Sequence, residues 1–435
     1  MEYNDKNVVP NQNNLKKVFL VSSSAKCKPN SVISARILKF FESNEYQLAR
    51  DVRDANLVFV NTCACTQMLE DKTINLFRDI YKEKNEQAKV ISVGCLNAIN
   101  RKALEDRFSD LHILQNLSEL NSITDTLVLF NNSKTCYYDK HLMDYASCDK
   151  HFSVMDRGVI IAAEILCRAF KTTRYPSAES THLPQILDEI YQTNKACVQI
   201  SSGCKGHCSY CIIKKAKGDL HSRKIDDILD DIDEMHQEGM IKDNTALNLV
   251  ADDCACYGMD TGESLFSLVA AIHARFTHVP LEFCYVNPSF IVENTNAYLE
   301  MFQNVRINSI NIPLQSGSDR IIQLMDRDYA VADVLGFVDQ VKKISPHTMI
   351  WSHFIVGFPS ETWKDFSLSL RSARRFHFYV PSTFSVRAGT KASGMTNDVS
   401  AFNAKIRYHL FVQQLIFQKA CGLLIPKIKN DVSKS

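Results

Sequence analysis

Three cysteines, Cys204, Cys208 and Cys211, stand in a C-x3-C-x2-C triplet within the run Ser201-Ser-Gly-Cys-Lys-Gly-His-Cys-Ser-Tyr-Cys211. Thiolates are the preferred protein ligands of iron–sulfur clusters. Three thiolates on a 4Fe-4S cluster leave one iron open to a chelating ligand. A structural zinc site is the alternative, but zinc asks for four ligands, usually in paired C-x2-C knuckles. No fourth partner is spaced for one. A second set is spread more widely. Cys27, Cys63 and Cys95 each follow a short apolar run, at 17–21, 57–60 and 89–93. If those runs are parallel strands, their carboxyl ends form the ligand edge of the sheet. Three cysteines from three strand ends would then meet at one point as a cluster or metal site. The competing reading is three buried thiols that share this position by chance. Cys65 competes with Cys63 for the same place.

Composition bounds the rest. A chain of 435 residues allows about two to four domains. Its 45% apolar and 23% charged content is that of an ordinary globular protein. Fifty Lys and Arg against 49 Asp and Glu leave a net charge of +1. A nucleic-acid-dedicated protein carries a basic excess, so the total argues against that class while leaving room for a local basic face. The amino terminus is polar through Lys17 and lacks the apolar core of a signal peptide. The most apolar mid-chain stretch, 159–170, is interrupted by Glu164 and Arg168 and is too short to span a bilayer. These features predict a cytoplasmic protein with no membrane partner. In a reducing compartment, 15 cysteines point to metal or redox chemistry rather than disulfides. The scattered ones, Cys136, Cys148, Cys167, Cys197, Cys284 and Cys421, read as small buried hydrophobes.

Positioning the two cysteine sets falls to two α/β units. In the first, the strands alternate with helical patterns at 32–41, 68–84 and 98–108. Such alternation implies parallel pairing with crossover helices. In the second, strand patterns at 197–201, 245–250, 281–285, 307–312, 348–355 and 381–386 alternate with helical ones at 224–238, 263–275, 291–302, 319–325 with 331–343, and 361–376. Six such units predict a partial (β/α)6 barrel with its site at the carboxyl rim of the strands. The fold class is therefore α/β: an N-terminal parallel three-layer α/β domain followed by a partial barrel. The expected divisions are a disordered lead-in at 1–16, the first domain at 17–130, and an insertion or linker with short helices at 131–194. The barrel follows at 195–395, and a C-terminal helix and tail at 396–435.

The triplet and its barrel setting resemble the radical S-adenosylmethionine (SAM) superfamily. Over most of its length the chain further resembles the methylthiotransferases of that superfamily. Cys27-Lys-Pro-Asn-Ser31, Asn61-Thr-Cys63 and Gly94-Cys95 look like that family's three cysteine motifs. Lys217-Gly-Asp-Leu-His-Ser-Arg223 and Ala251-Asp-Asp-Cys-Ala-Cys-Tyr-Gly258 continue the match. Pro313-Leu-Gln-Ser-Gly-Ser-Asp-Arg320 with Met325 and Arg327, Ile355-Val-Gly-Phe-Pro-Ser-Glu-Thr362, and Ser385-Val-Arg-Ala-Gly-Thr390 are its most specific runs. The resemblance implies two 4Fe-4S clusters. Cys204, Cys208 and Cys211 would hold the one that cleaves SAM to a 5′-deoxyadenosyl radical. Cys27, Cys63 and Cys95 would hold an auxiliary one for sulfur delivery, with a second SAM as methyl donor. It also implies that Tyr210 lies along the SAM adenine and that Gly357 permits close approach at the adenine edge. Asp253 and Gln315 are implied in polar contacts to SAM or substrate, and Arg387 at the last strand end as a candidate facing the cavity. An electron donor such as flavodoxin or ferredoxin goes with this chemistry.

Three departures bear on the substrate. Family members usually end in a small β-barrel, the TRAM module, for which 420–435 is too short. The 131–194 segment exceeds the usual link between the two domains, and Lys26 stands where the family has glycine. Together with the neutral charge, these favour a protein or peptide substrate over tRNA. The alternative is methylthiolation of a modified tRNA adenosine next to the anticodon. A further alternative is a radical SAM enzyme whose second cluster only transfers electrons.

Overall fold

A computed structural model of the chain describes residues 16–24, 27–124, 127–130, 196–241 and 245–420. The expectations for 131–194, for the lead-in before Lys16, for the tail after Ala420 and for Lys26 lie outside the described residues. So do those for Cys136, Cys148, Cys167 and Cys421. Cys197 and Cys284 are buried, as small hydrophobes should be.

The first unit is one parallel sheet of β1 (Lys17–Ser22), β2 (Gln47–Leu48), β3 (Leu57–Thr62), β4 (Lys89–Gly94) and β5 (His112–Ile113), in the order β2-β1-β3-β4-β5. The three anticipated strands are its centre. β2 and β5 are two-residue edge strands, too short to leave a periodic signal. β3 is buried at every position, as a strand covered on both faces must be. Two apolar layers flank the sheet. One contains Val58, Val60, Phe77 and Leu104; the other contains Phe40, Phe41, Phe59 and Ile91. Helix α1 (Lys28–Ser43) starts directly after Cys27, with proline in its first turn, where the missing N–H costs nothing. Helix α2 (Gln67–Glu83) is capped by Thr66, whose hydroxyl accepts from the Leu69 N–H. The single helix expected at 98–108 is instead two short ones, α3 (Cys95–Ile99) and Arg101–Glu105. They break at Asn100, whose side chain caps the second.

The second unit carries six parallel strands: β6 (Ala196–Gln199), β9 (Leu247–Val250), β10 (Leu281–Phe283), β11 (Ile307–Asn311), β12 (Met349–Val356) and β13 (Phe378–Thr383). Their order follows the chain, β13-β12-β11-β10-β9-β6, as the partial barrel predicts. A two-stranded antiparallel ribbon of β7 (Ser201–Ser202) and β8 (His221–Ser222) brackets the loop holding the cysteine triplet. The last strand begins before Pro381 rather than at it. Proline cannot donate to a ladder but is tolerated on an edge strand, and β13 is the edge.

The helix Ala401–Ala420 packs back on the outside of β12 and β13, where Phe411 meets Phe354 and Tyr379. Among the described residues no helix is long and apolar enough to cross a membrane.

Candidate active site

The strand ends of the first sheet bring Cys27, Cys63 and Cys95 together. Cys63 follows β3, Cys95 follows β4 and opens α3, and Cys27 caps α1 after β1. β3 lies between β1 and β4. A buried polar network fixes the three ends. Asn61 Nδ2 donates to the Asn30 carbonyl at 2.8 Å and to Ser34 Oγ at 2.9 Å. Thr62 Oγ1 donates to the Val93 carbonyl at 2.7 Å and accepts from the Leu96 N–H at 3.2 Å. Ser23 Oγ accepts from the Cys63 N–H at 2.8 Å. Gly94 is required here: its φ is +106°, and a Cβ would meet the Thr62 carbonyl oxygen at 2.5 Å.

Burial, then the neighbouring Cys63 and Cys95, push the Cys27 thiol up. Burial also raises Cys95, to about 11. Cys63 is instead lowered to about 6, first by the Cys65 thiol beside it, whose sulfur is 3.9 Å away. Cys65 is raised, first by that same contact. Lys217 sits close to this group. Burial works against its charge, but Cys95, Asp252, Cys27 and Cys63 outweigh it and hold the ammonium above its ordinary value. Three thiols with one compensating cation suit an anionic cluster.

The second triplet lies on the loop after β7. Its middle is tied to the barrel: the Ser209 N–H donates to the Met325 carbonyl at 2.9 Å, and Ser209 Oγ donates to the Leu324 carbonyl at 2.8 Å. The Ala392 N–H donates to the Ser209 carbonyl at 2.8 Å. Buried Arg327 donates to the Tyr210 hydroxyl and to Asn287 Oδ1, both at 3.0 Å. Gly203 has φ +79°, and a Cβ there would meet the Asp219 carbonyl oxygen at 2.1 Å. Its N–H donates to Asp252 at 2.9 Å.

The two sites are joined by a short span of chain. Ile212, next to Cys211, enters the core of the first unit beside Cys95. The following helix, Ile213–Lys217, sends Lys215 Nζ to the Ile99 carbonyl at 3.0 Å.

Of the other anticipated residues, Tyr210 stands edge-on to Phe358, with ring centres 6.4 Å apart, so it does neighbour the Gly357 turn. Asp253 is buried against the triplet. Its Oδ1 accepts from the Ala255 and Asn287 N–H groups, each at 3.1 Å, and its Oδ2 is 3.7 Å from Cys204 Sγ and 3.2 Å from Cys256 Sγ. Burial raises its pKa. Gln315 ends the β11 connection at φ +67° and bridges to Phe354.

Two of the anticipated residues also have partners within the protein. Gly357 is explained by packing: its φ is +74°, and a Cβ would meet the Ala404 Cβ at 2.6 Å. The turn is also pinned by Glu361, which accepts from the Gly357 N–H at 2.7 Å and from Arg407 at 2.6 Å. Gly357→Ala is therefore expected to cost about 1–3 kcal/mol from overpacking and left-handed backbone. A thermal midpoint equal to wild type would contradict this. Arg387 is buried in an ion pair with Glu70 and donates to Gln67 Oε1 at 2.9 Å. It thereby joins the barrel to α2. Sequence reasoning missed Asn287, and saw Lys217 and Arg327 only as parts of motifs. A polar residue alone in a loop gives no sign of which site it will reach.

Two families match the chain. One, described as the Radical SAM superfamily, matches residues 198–373. The other, described as Uncharacterized protein family UPF0004, matches residues 20–115. Each range contains one of the two cysteine triplets. The chain is 26% identical over 408 residues to the tRNA-2-methylthio-N(6)-dimethylallyladenosine synthase of Yersinia pestis, covering 91% of this chain and 76% of that protein. It is 27% identical to the synthase of the same name from Yersinia pseudotuberculosis serotype O:3 (strain YPIII), with the same coverage. Among solved structures, the radical S-adenosylmethionine methyltransferase TsrM from Kitasatospora setae, with cobalamin and a 4Fe-4S cluster bound, has a TM-score of 0.52. At 12% identity, covering 85% of this chain and 75% of that one, it supports the fold alone.

The preference for a protein or peptide partner over tRNA is corrected by these relatives, which are named as tRNA-modifying synthases. That preference leaned in part on a net charge summed over the whole chain, which carries no information about the surface beside a site. Both matched families and the chain-long relatives agree in supporting the radical SAM methylthiotransferase family, enzymes that work with SAM and 4Fe-4S clusters.

Proposed function

We propose that this enzyme methylthiolates a modified tRNA adenosine. The observation that carries the reading is similarity along 91% of the chain to synthases named for 2-methylthio-N(6)-dimethylallyladenosine in tRNA. In this reading Cys204, Cys208 and Cys211 hold the SAM-cleaving cluster, and Cys27, Cys63 and Cys95 hold the auxiliary one. When bound, the clusters and SAM supply the radical and the methylthio group.

The chain's own residues do the holding and orienting. Arg327, itself held by Asn287, fixes Tyr210 within the triplet loop. Lys217 places a positive charge against the auxiliary thiols. Lys205 and Lys214 are exposed on and beside the triplet loop, where an RNA backbone would find cations despite the neutral total charge. An electron donor of the flavodoxin or ferredoxin kind, and a cytoplasmic setting that keeps thiols reduced, complete this reading.

The test is binding of bulk tRNA across a salt series. Phosphate contacts predict measurable affinity at low salt that falls steeply as salt rises. No binding at low salt would reject a tRNA substrate.

A further inference from the structure

The inner face of the barrel carries polar chemistry that neither cysteine site uses. β12 is a central strand, flanked by β11 and β13. Its side chains toward the helices, Ile350, Ser352, Phe354 and Val356, are all 0% exposed. On the opposite face Trp351 is buried, while Met349, His353 and Ile355 remain partly exposed. A central strand open on one face lines a concavity that a ligand can enter.

Asn311, the last residue of β11, is the register partner of Trp351 on that inner face. It is fully buried, and neither end of its amide has a hydrogen-bonding partner in the protein. Gln315 Oε1 and His353 Nε2 are also buried and unpartnered. Each unmet buried group costs about 1–3 kcal/mol, so an amide unmet at both ends calls for an explanation. Aromatic rings frame the group: His353 lies 5.8 Å from Tyr285 and 5.3 Å from Trp351, centre to centre. Burial lowers the His353 pKa to about 4, so the imidazole is neutral near pH 7. Neutral donors and acceptors between rings suit a flat, uncharged heterocycle.

We propose that Asn311 reads the N6–H and N7 edge of the adenine to be modified, with Tyr285, Trp351 and His353 bounding the ring. An asparagine amide matches that edge with two hydrogen bonds. An adenine alkylated once at N6 keeps one N–H for the contact. The arrangement leaves carbon 2 free on the far side of the ring, and carbon 2 bears the methylthio group in the product for which the relatives are named. Tyr285 and His353 are partly exposed and can turn aside to admit the base. The inference rests on the tRNA reading above and adds how the base is recognised.

The experiment compares two anticodon stem–loop RNAs, one with N6-dimethylallyladenine at the target and one with its 7-deaza analogue, which lacks the N7 acceptor. Wild type is expected to lose about ten- to hundredfold in kcat/KM on the 7-deaza RNA. Asn311→Leu is expected to show a loss of that size on the normal RNA and no further loss on the analogue. Its SAM dissociation constant should stay within about twofold of wild type, since one amide is worth little to a ligand held elsewhere. Wild type active on both RNAs alike would overturn the assignment, and that comparison needs no variant. A large loss of SAM affinity in Asn311→Leu would overturn it too, by placing the cofactor's adenine at the amide. Wild type inactive on every tRNA and stem–loop would overturn the tRNA reading itself, and this assignment with it.

Discussion

The triple variant Cys27→Ala/Cys63→Ala/Cys95→Ala is expected to lose about half of the iron bound by wild type, because one of two equal clusters loses all its protein ligands. It should lose all methylthio transfer and still release 5′-deoxyadenosine from SAM. The physical basis is the separation of the two triplets. Cys27, Cys63 and Cys95 sit at the strand ends of the first sheet, and Cys204, Cys208 and Cys211 on a loop anchored by Ser209 to the barrel. The polar network at Asn61 and Thr62 stays in place in the variant, so the first unit should still fold. Cys65→Ser separates the two candidate thiols of the loop after β3. Cys63 directly follows β3 and its N–H is held by Ser23 Oγ, so it is the thiol placed at the strand end, and the Cys65 variant should keep its iron. Unchanged iron in the triple variant would refute the auxiliary cluster.

The largest effect on stability is expected at Arg387. Both Arg387 and Glu70 are 5% exposed in the side chain and pair across the junction between barrel and first unit. Glu70 also accepts from Asn100 Nδ2 at 2.7 Å. Removing one partner leaves the other charge buried and unpaired, which costs about 3–5 kcal/mol. Arg387→Met should therefore lower the thermal midpoint sharply. The double variant Arg387→Met/Glu70→Leu should recover most of the loss, since two apolar side chains leave no charge behind. Single and double variants with the same midpoint would show that the pair contributes nothing. The same logic applies to Glu361 and Arg407, which are 0% and 4% exposed and tie the Gly357 turn to the last helix.

The sequence makes the strand order of the barrel legible because its strand patterns alternate with helical periods in the gaps. It also shows the three central strands of the first sheet and a cysteine at each end. Three things escape it. β2 and β5 are too short for periodicity. The helix after Cys95 breaks at Asn100, where side-chain capping outweighs a continuous apolar pattern. Contacts between distant segments, such as Arg387 with Glu70 or Gly357 with Ala404, depend on packing that no local pattern encodes. Asn311 and His353 stand in strands whose polar residues follow no alternation, Asn308 and Ser309 in the one and Ser352 next to His353 in the other, so their role becomes visible only when the unpartnered atoms are found. The cysteine spacing survives as the clearest sign of chemistry, since a cluster needs its ligands on loops of fixed reach.

The most direct test of methylthio transfer is the product balance of the reconstituted wild-type enzyme, supplied with SAM, a reductant and tRNA bearing an N6-alkylated adenosine. The predicted result is S-adenosylhomocysteine and 5′-deoxyadenosine formed together, with a methylthio group gained by the RNA. Formation of 5′-deoxyadenosine alone, with no S-adenosylhomocysteine and no change in the mass of the RNA, would contradict it.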